Sequence, residues 1–451
     1  MHLPRPALAA VALTAMFATA AGCGSGSPAD LRVPTPTPTR TSSAVIAPTA
    51  YADPFTGFIS ADAMMPADAS LLAAGLARAA GWSGDPSSPA ADLRARLTYL
   101  FTEHVHLVAI MLTAIDDKGP HSSLTKAAQA GLDANSTALI AEIKSLFRFP
   151  APKKGKPSPT PTARPDSDIA DLVSDDFGTA WRAHIARLVD YGVAAKDKVQ
   201  RDESDARHDL EIWGQNAASF LKLAADNKLR STDVRDALDK YLSGITDAAD
   251  SLVKRDGKGF DEVRSAASAM VDAAAVLAEG FARADGLSGK SDDEAATARA
   301  QLTYLLTEHD DLLADVVFAG YSEADGGLQS IRSYAARAAL DANAKDLAAA
   351  FGKAVNAKQQ ASFLEDWRRH DIDFLDYAEA AQRADVAAEA KAVAALNAYR
   401  TTVGKFFASI SGQQVTVTQV EDMFTAHIAS MTGEIDALAA LLTTPASTPD
   451  S

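Results

Sequence analysis

Leu97-Thr98-Tyr99-Leu100-Phe101-Thr102-Glu103-His104 returns, 205 positions later, as Leu302-Thr303-Tyr304-Leu305-Leu306-Thr307-Glu308-His309. In both copies the apolar residues recur at spacings of three and four, the stripe of an amphipathic helix, and the histidine falls on the stripe. The duplication reaches further. Leu76-Ala77-Arg78-Ala79-Ala80-Gly81 matches Phe281-Ala282-Arg283-Ala284-Asp285-Gly286, Leu132…Asn135 matches Leu340…Asn343, and Phe177…Trp181…His184…Tyr191 matches Phe363…Trp367…His370…Tyr377. The offset falls from 208 to 186 between the last two matches, so the first copy carries 22 extra residues, which coincide with Pro150-Ala151-Pro152-Lys153-Lys154-Gly155-Lys156-Pro157 and the Pro/Thr run after it. Composition marks this insertion, about 149–167, as disordered.

Helical periodicity continues almost unbroken from Ala61, with no alternating strand pattern of useful length. It predicts twelve helices, near 61–80, 89–116, 122–147, 168–200, 204–227, 231–254, 259–285, 291–319, 328–354, 358–384, 387–411 and 416–442. The fold class is all-α: two tandem homologous antiparallel bundles of about six helices each, with ferritin-like or four-helix-bundle-like packing. Repeat one covers 59–257, repeat two 258–442, and a disordered tail 443–451. The first and last of these helices lack a hairpin partner, so they are expected to pair with each other or to complete neighbouring bundles.

The start of the chain reads as an export signal. Arg5 precedes an apolar run from Ala7 to Ala21 that is short for a membrane span and ends in Ala20-Ala21-Gly22-Cys23, a lipobox-like sequence. Cys23 is the sole cysteine, so no disulfide forms within the chain, and its position is the one lipidation requires. The expected order is a signal peptide over 1–22, then a lipid-anchored Pro/Thr/Ser tether over 23–58 holding the folded part at the outer face of the cell membrane. With a net charge of −16, phosphate backbones are poor partners, which excludes nucleic acid binding as a main role. Envelope proteins or cell-wall polymer are the remaining macromolecular candidates, the latter touching Lys153, Lys154, Lys156 and Arg164 of the insertion.

Candidate chemistry lies on the helical stripes. His104, His184, His309, His370 and His427 each occupy a core-facing position, and Tyr241 takes the matching place between Val234, Leu238 and Ile245. The next helix of each hairpin offers a polar residue at about the same height: Asn135, Asn216 and Asn343 for the first three, Thr402 for His370 and Asp272 for Tyr241. Buried imidazoles facing amides would satisfy one another and fix register. Imidazoles converging from several helices would instead hold a divalent metal or another small ligand. Glu103 and Glu308 are expected to turn about 100° off the histidine stripe. Glu103-His104-Val105-His106 carries the Glu-x-x-His spacing of di-iron bundles, but its copy reads Glu308-His309-Asp310-Asp311, and His106 is expected to face solvent. Trp181, Trp213 and Trp367 stand at core spacing.

The repeat resembles a family of exported helical-bundle proteins of Gram-positive bacteria that has no assigned activity. The residues that carry the resemblance are Glu103-His104, Trp213-Gly214-Gln215-Asn216-Ala217 and Phe260-Asp261-Glu262-Val263-Arg264…Met270-Val271-Asp272, with Arg264 where the family pattern has histidine and Tyr399…Thr402 in place of the second Trp…Asn pair. It implies the helical fold and a buried polar layer. A phosphate-binding glycine loop, a nucleophile elbow and a catalytic thiol are all missing from the sequence, so no catalytic residue is assigned. The leading expectation is a non-enzymatic binding or interaction module, the alternative is divalent metal capture by the histidine level, and the third is a metal-dependent oxidase.

Overall fold

A computed structural model describes residues 46–148, 177–255, 257–322 and 327–443. Over these residues the chain is all-α, a helical bundle with no β-sheet. Its helices are α1 (Pro54–Asp62), α2 (Met65–Ala80), α3 (Pro89–Lys118), α4 (Ser123–Ser145), α5 (Phe177–Asp197), α6 (Gln200–Ala224), α7 (Ser231–Lys254), α8 (Gly259–Asp285), α9 (Glu294–Ser322), α10 (Ile331–Ala350), α11 (Ala357–Gln382), α12 (Val386–Ile410) and α13 (Val417–Thr443). The expected leader 1–22, Cys23, the tether up to residue 45, the inserted loop at 149–167 and the tail from 444 lie outside the described residues.

Local chemistry sets the helix ends. Ser88, Ser122 and Ser330 each accept a hydrogen bond from the backbone N–H three residues on, and Pro89 sits at the first turn, where its missing N–H costs nothing. Gly81 and Gly286, equivalent in the repeat, close α2 and α8 in the left-handed conformation at φ 65° and 67°.

The two copies meet along α3 and α9, and their contacts are reciprocal. Arg94 donates to the Ser291 carbonyl at 2.7 Å, and its equivalent Arg299 donates to the carbonyl of Pro86, the equivalent of Ser291, at 2.8 Å. The Ala90 N–H likewise bonds to Ser288 O, and Ala295 N–H to Ser83 O. Such pairing is what a two-fold relation between duplicated halves produces. Because α3 is central, it is buried on nearly every side from Ala90 to Ile115, including Thr98, Thr102, Glu103, His104 and His106. Its apolar window is long enough to cross a membrane but is covered here by other helices.

The first and last helices find each other. Residues 54–80 are displaced by 205 from α8 (259–285), and α1 packs on α13 and α2 on α9, as α8 packs on the equivalent helices α7 and α3. Pro66 explains why this counterpart is two helices: it lacks an N–H, and its ring clashes with the preceding turn, whereas Val271 at the same repeat position lets α8 run on. Leu72 and Leu76 of α2 join Leu302, Leu305, Trp367 and Phe424 in one apolar cluster. The N-terminal helices thus close the second copy.

This corrects the expected tether boundary at residue 58. Phe55 and Phe58 are buried, and the preceding strap lies along α13: Thr49 N–H bonds to Ala429 O at 2.8 Å, and the Tyr51 hydroxyl meets Ser430 Oγ at 2.6 Å. Gly433 allows that approach, since a Cβ there would stand 1.9 Å from Thr49 O.

Candidate metal centre

α9, α11 and α13 bring His309, His370 and His427 together. All three are buried, and each offers a ring nitrogen such that these atoms lie within 4.8 Å of one another. The Nε2 atoms of His370 and His427 are 3.3 Å apart. That is the separation of two imidazole nitrogens each about 2.0–2.1 Å from a single tetrahedral ion. The cluster can therefore coordinate a divalent metal ion. Among the described residues it is the one group of three or more His, Cys, Asp or Glu residues drawn this close.

The surroundings suit that chemistry. Burial holds the pKa of His309 down to about 3 and pushes that of His370 well below the usual histidine value, so both rings stay neutral, the form that binds metal. His370 is hydrogen-bonded to the Trp367 backbone and its Nδ1 lies 3.2 Å from Asp371 Oδ1, while the Nδ1 of His427 is 3.4 Å from Asp310 Oδ1. A hydrogen bond on the Nδ1 of His370 leaves its Nε2 lone pair free toward the cluster, the usual arrangement around metal-binding histidines. Tyr399 stacks on His370 with ring centroids 4.8 Å apart, and Trp367 packs edge-on against His309 at 4.8 Å. A cavity of about 20 Å³ adjoins the rings, lined by Met65, Asp68, His309, Asp310, Met423 and His427 among others. That is room for one water or a small exogenous ligand. Asp68 comes from α2, and burial raises its pKa to about 7, with His427 pulling it back down.

The first copy carries the same level in a different state. His104, His184 and Tyr241 are equivalent to His309, His370 and His427, but the Tyr241 hydroxyl is hydrogen-bonded to His104 Nε2 at 3.0 Å. The carboxylates are gone as well: Val105 stands where the second copy has Asp310, and Ile185 where it has Asp371. The His184 N–H donates to the Trp181 carbonyl, Trp213 stacks on its ring at 4.2 Å, and burial depresses the pKa of both histidines, that of His104 to about 3. This level is a packed aromatic layer closed by a phenol.

No family model, curated protein or solved structure matches this chain.

Several expected pairings are corrected. Asn135 Nδ2 donates to Glu103 Oε2 at 2.5 Å and Leu100 O at 3.0 Å, and Asn343 Nδ2 donates to Glu308 Oε2 at 2.9 Å and Leu305 O at 3.0 Å, so the amide nitrogens serve the glutamates, while the His104 side chain keeps the expected hydrogen-bonding contact with Asn135. Glu103 and Glu308 are consequently buried, each also accepting from a tyrosine one turn earlier, Tyr99 or Tyr304. Asn216 is only half buried, while Thr402 and Asp272 are exposed. The aromatic rings of Trp213 and Tyr399, three residues before Asn216 and Thr402, take the places facing His184 and His370. His106 is fully buried, not solvated: its Nδ1 is 3.1 Å from Asp315 Oδ2. Burial alone would lower its pKa, yet Asp311, Asp315 and Glu308 together raise it to about 9.

Proposed function

We propose that the protein captures a divalent transition-metal ion with His309, His370 and His427, as a non-enzymatic binding protein. The observation that carries this reading is the 3.3 Å approach of two buried Nε2 atoms beside a third imidazole. Three imidazole nitrogen donors favour Zn²⁺, Cu²⁺, Ni²⁺ or Fe²⁺ over Mg²⁺ or Ca²⁺, which take oxygen. Asp310 and Asp371 would orient the rings, and Asp68 at the cavity would meet the entering ion. In this reading the duplicated halves are two homologous bundles with ferritin-like packing, of which one retains a binding level and the other keeps only its packing. The expected address, a lipid anchor at Cys23 facing outward from the cell membrane, belongs to the same proposal and would place metal capture at the cell envelope. A Co²⁺ titration followed by visible absorption tests the site: nitrogen-ligated tetrahedral Co²⁺ should give intense ligand-field bands in the wild type and lose them in His427→Gln. Equal spectra in both proteins would refute the assignment.

A further inference from the structure

An ion held by His309, His370 and His427 has to reach three buried rings. The cavity beside His309 and His427 measures about 20 Å³. It has room for one water, whereas a hydrated ion brings several, so part of the wall must give way during entry. Three of the helices that line it, α9, α11 and α13, carry the histidines, and the fourth, α2, contributes Met65 and Asp68. Asp68 and Met423 of α13 are both half-buried, which puts the rim of the cavity at the seam between α2 and α13.

The backbone is interrupted at that wall. Pro66 has no N–H to give to the Asp62 carbonyl one turn earlier. On either side of it the ladder tightens to i→i+3 bonds, from Met64 N–H to Ala61 O at 3.2 Å and from Ala67 N–H to Met64 O at 3.0 Å, and the Met64 side chain supplies no cap. The flanking segments are held. Phe55 and Phe58 of α1 are buried, and further along α2 Leu72 and Leu76 are buried, Gly75 lies against Val415, and Arg78 Nη1 donates to Gln414 Oε1 at 3.2 Å. Residues 65–68 are thus a short weakly bonded stretch between two anchored ones, the kind of helix-terminal position that hinges use. The first copy has none of this. Val271 stands for Pro66 in the unbroken α8, and the buried Ala273 and Ala237 stand for Asp68 and Met423. The proline break, the carboxylate and the second thioether all fall in the copy that has three histidines.

Building on the metal reading above, we infer that the first turn of α2 is the gate of the histidine site, with Asp68 as its cation-attracting rim. The ion meets Asp68, sheds water and passes between Met65 and Met423 while residues 65–68 shift at Pro66. A carboxylate at the rim speeds the encounter with cations, and salt screens that effect. Methionine side chains, with three rotatable bonds, yield to a passing ion more readily than branched or aromatic ones. The gate sets how fast the ion enters and leaves, and the three imidazoles set how tightly it is held.

The test is stopped-flow absorption of Co²⁺ uptake by the full chain, and of Co²⁺ release to excess chelator. Pro66→Val, which restores the residue of the unbroken helix, should bind the same amount of Co²⁺ but slow uptake and release together by about tenfold or more. Asp68→Asn should slow uptake at low salt and remove most of its dependence on ionic strength, a change that a merely structural role for Asp68 would not produce. Circular dichroism checks that both variants fold, and the Asp68→Asn result stands by itself if Pro66→Val does not. Wild-type exchange rates in folded Pro66→Val, or wild-type rate and salt dependence in Asp68→Asn, would overturn the gate while leaving the metal site intact. Wild type that gives no Co²⁺ spectrum at all would overturn the metal reading and the gate with it.

Discussion

The Tyr241 hydroxyl bonds to His104 Nε2 at 3.0 Å at the repeat position where the second copy brings His427 to within 3.3 Å of His370. The tyrosine at this position closes the first level, where the second copy keeps a third imidazole. Tyr241→His should give the first level three imidazoles and raise metal uptake by one equivalent per chain. Since Val105 and Ile185 supply no carboxylate, the added site should bind 10–100-fold more weakly than the native one, the usual cost of losing the groups that orient metal-binding histidines. Isothermal titration with Zn²⁺ would show this, and an unchanged stoichiometry would count against equivalence of the two levels.

Acid should weaken the fold through His104. Burial lowers its pKa to about 3 in the native state, against about 6.5 unfolded, so the unfolded chain binds the extra proton between those values. The stability contribution is complete above pH 6.5 and declines as the pH falls toward 3. At pH 5 the loss is about 2 kcal/mol relative to pH 8. Urea unfolding at the two pH values should show that loss shrinking by this amount in His104→Gln, whereas an equal pH dependence would mean the ring is not held neutral.

Arg264 is expected to matter for folding and not for metal. It pairs with buried Glu308 at 2.9 Å and with Asp346 at 2.8 Å. Arg264→Met leaves Glu308 as a buried charge and should cost about 3 kcal/mol or more. Arg264→Met with Glu308→Gln should recover most of it, read by denaturant midpoints. A double variant no better than the single would mean the pair is not coupled.

Leu76 tests how the N-terminal helices close the second copy. Its side chain is about 1% exposed in the cluster with Leu302 and Trp367. Leu76→Ala should cost about 2–5 kcal/mol. It should also weaken metal binding, because α2 supplies Met65 and Asp68 to the cavity beside His309 and His427. Destabilisation with unchanged affinity would separate α2 from the site.

The duplication, the all-helical class and the histidine level were legible because each rests on a period: repeat offsets, the 3.6-residue stripe and matched aromatic residues. The Tyr241 position followed from the same offsets. What stayed hidden depends on how helices surround one another. A single stripe sends His106 to solvent, but α3 is packed on all sides, so residues off the stripe are buried too. The asparagines stand at the predicted height and Asn135 meets His104, but their amide nitrogens go to Glu103 and Glu308, which bury one residue before the histidines. Phe55 and Phe58 lie in a stretch whose proline and threonine content reads as linker, and docking against α13, α9 and α4 makes it helical and buried. Offset arithmetic applied to Asp310 and Val105, or to Asp371 and Ile185, would have separated the two levels from sequence alone.

The central claim is that the second histidine level holds an ion. The most direct measurement is elemental analysis of the full chain after exposure to equimolar Zn²⁺, Cu²⁺ and Ni²⁺ and removal of free metal, beside His309→Ala, His370→Gln and His104→Ala variants. One equivalent of a single metal in wild type and in His104→Ala, lost in His309→Ala and His370→Gln while both stay folded, is the expected result. Metal-free wild type, or metal retained when His309 and His370 are replaced, would contradict it.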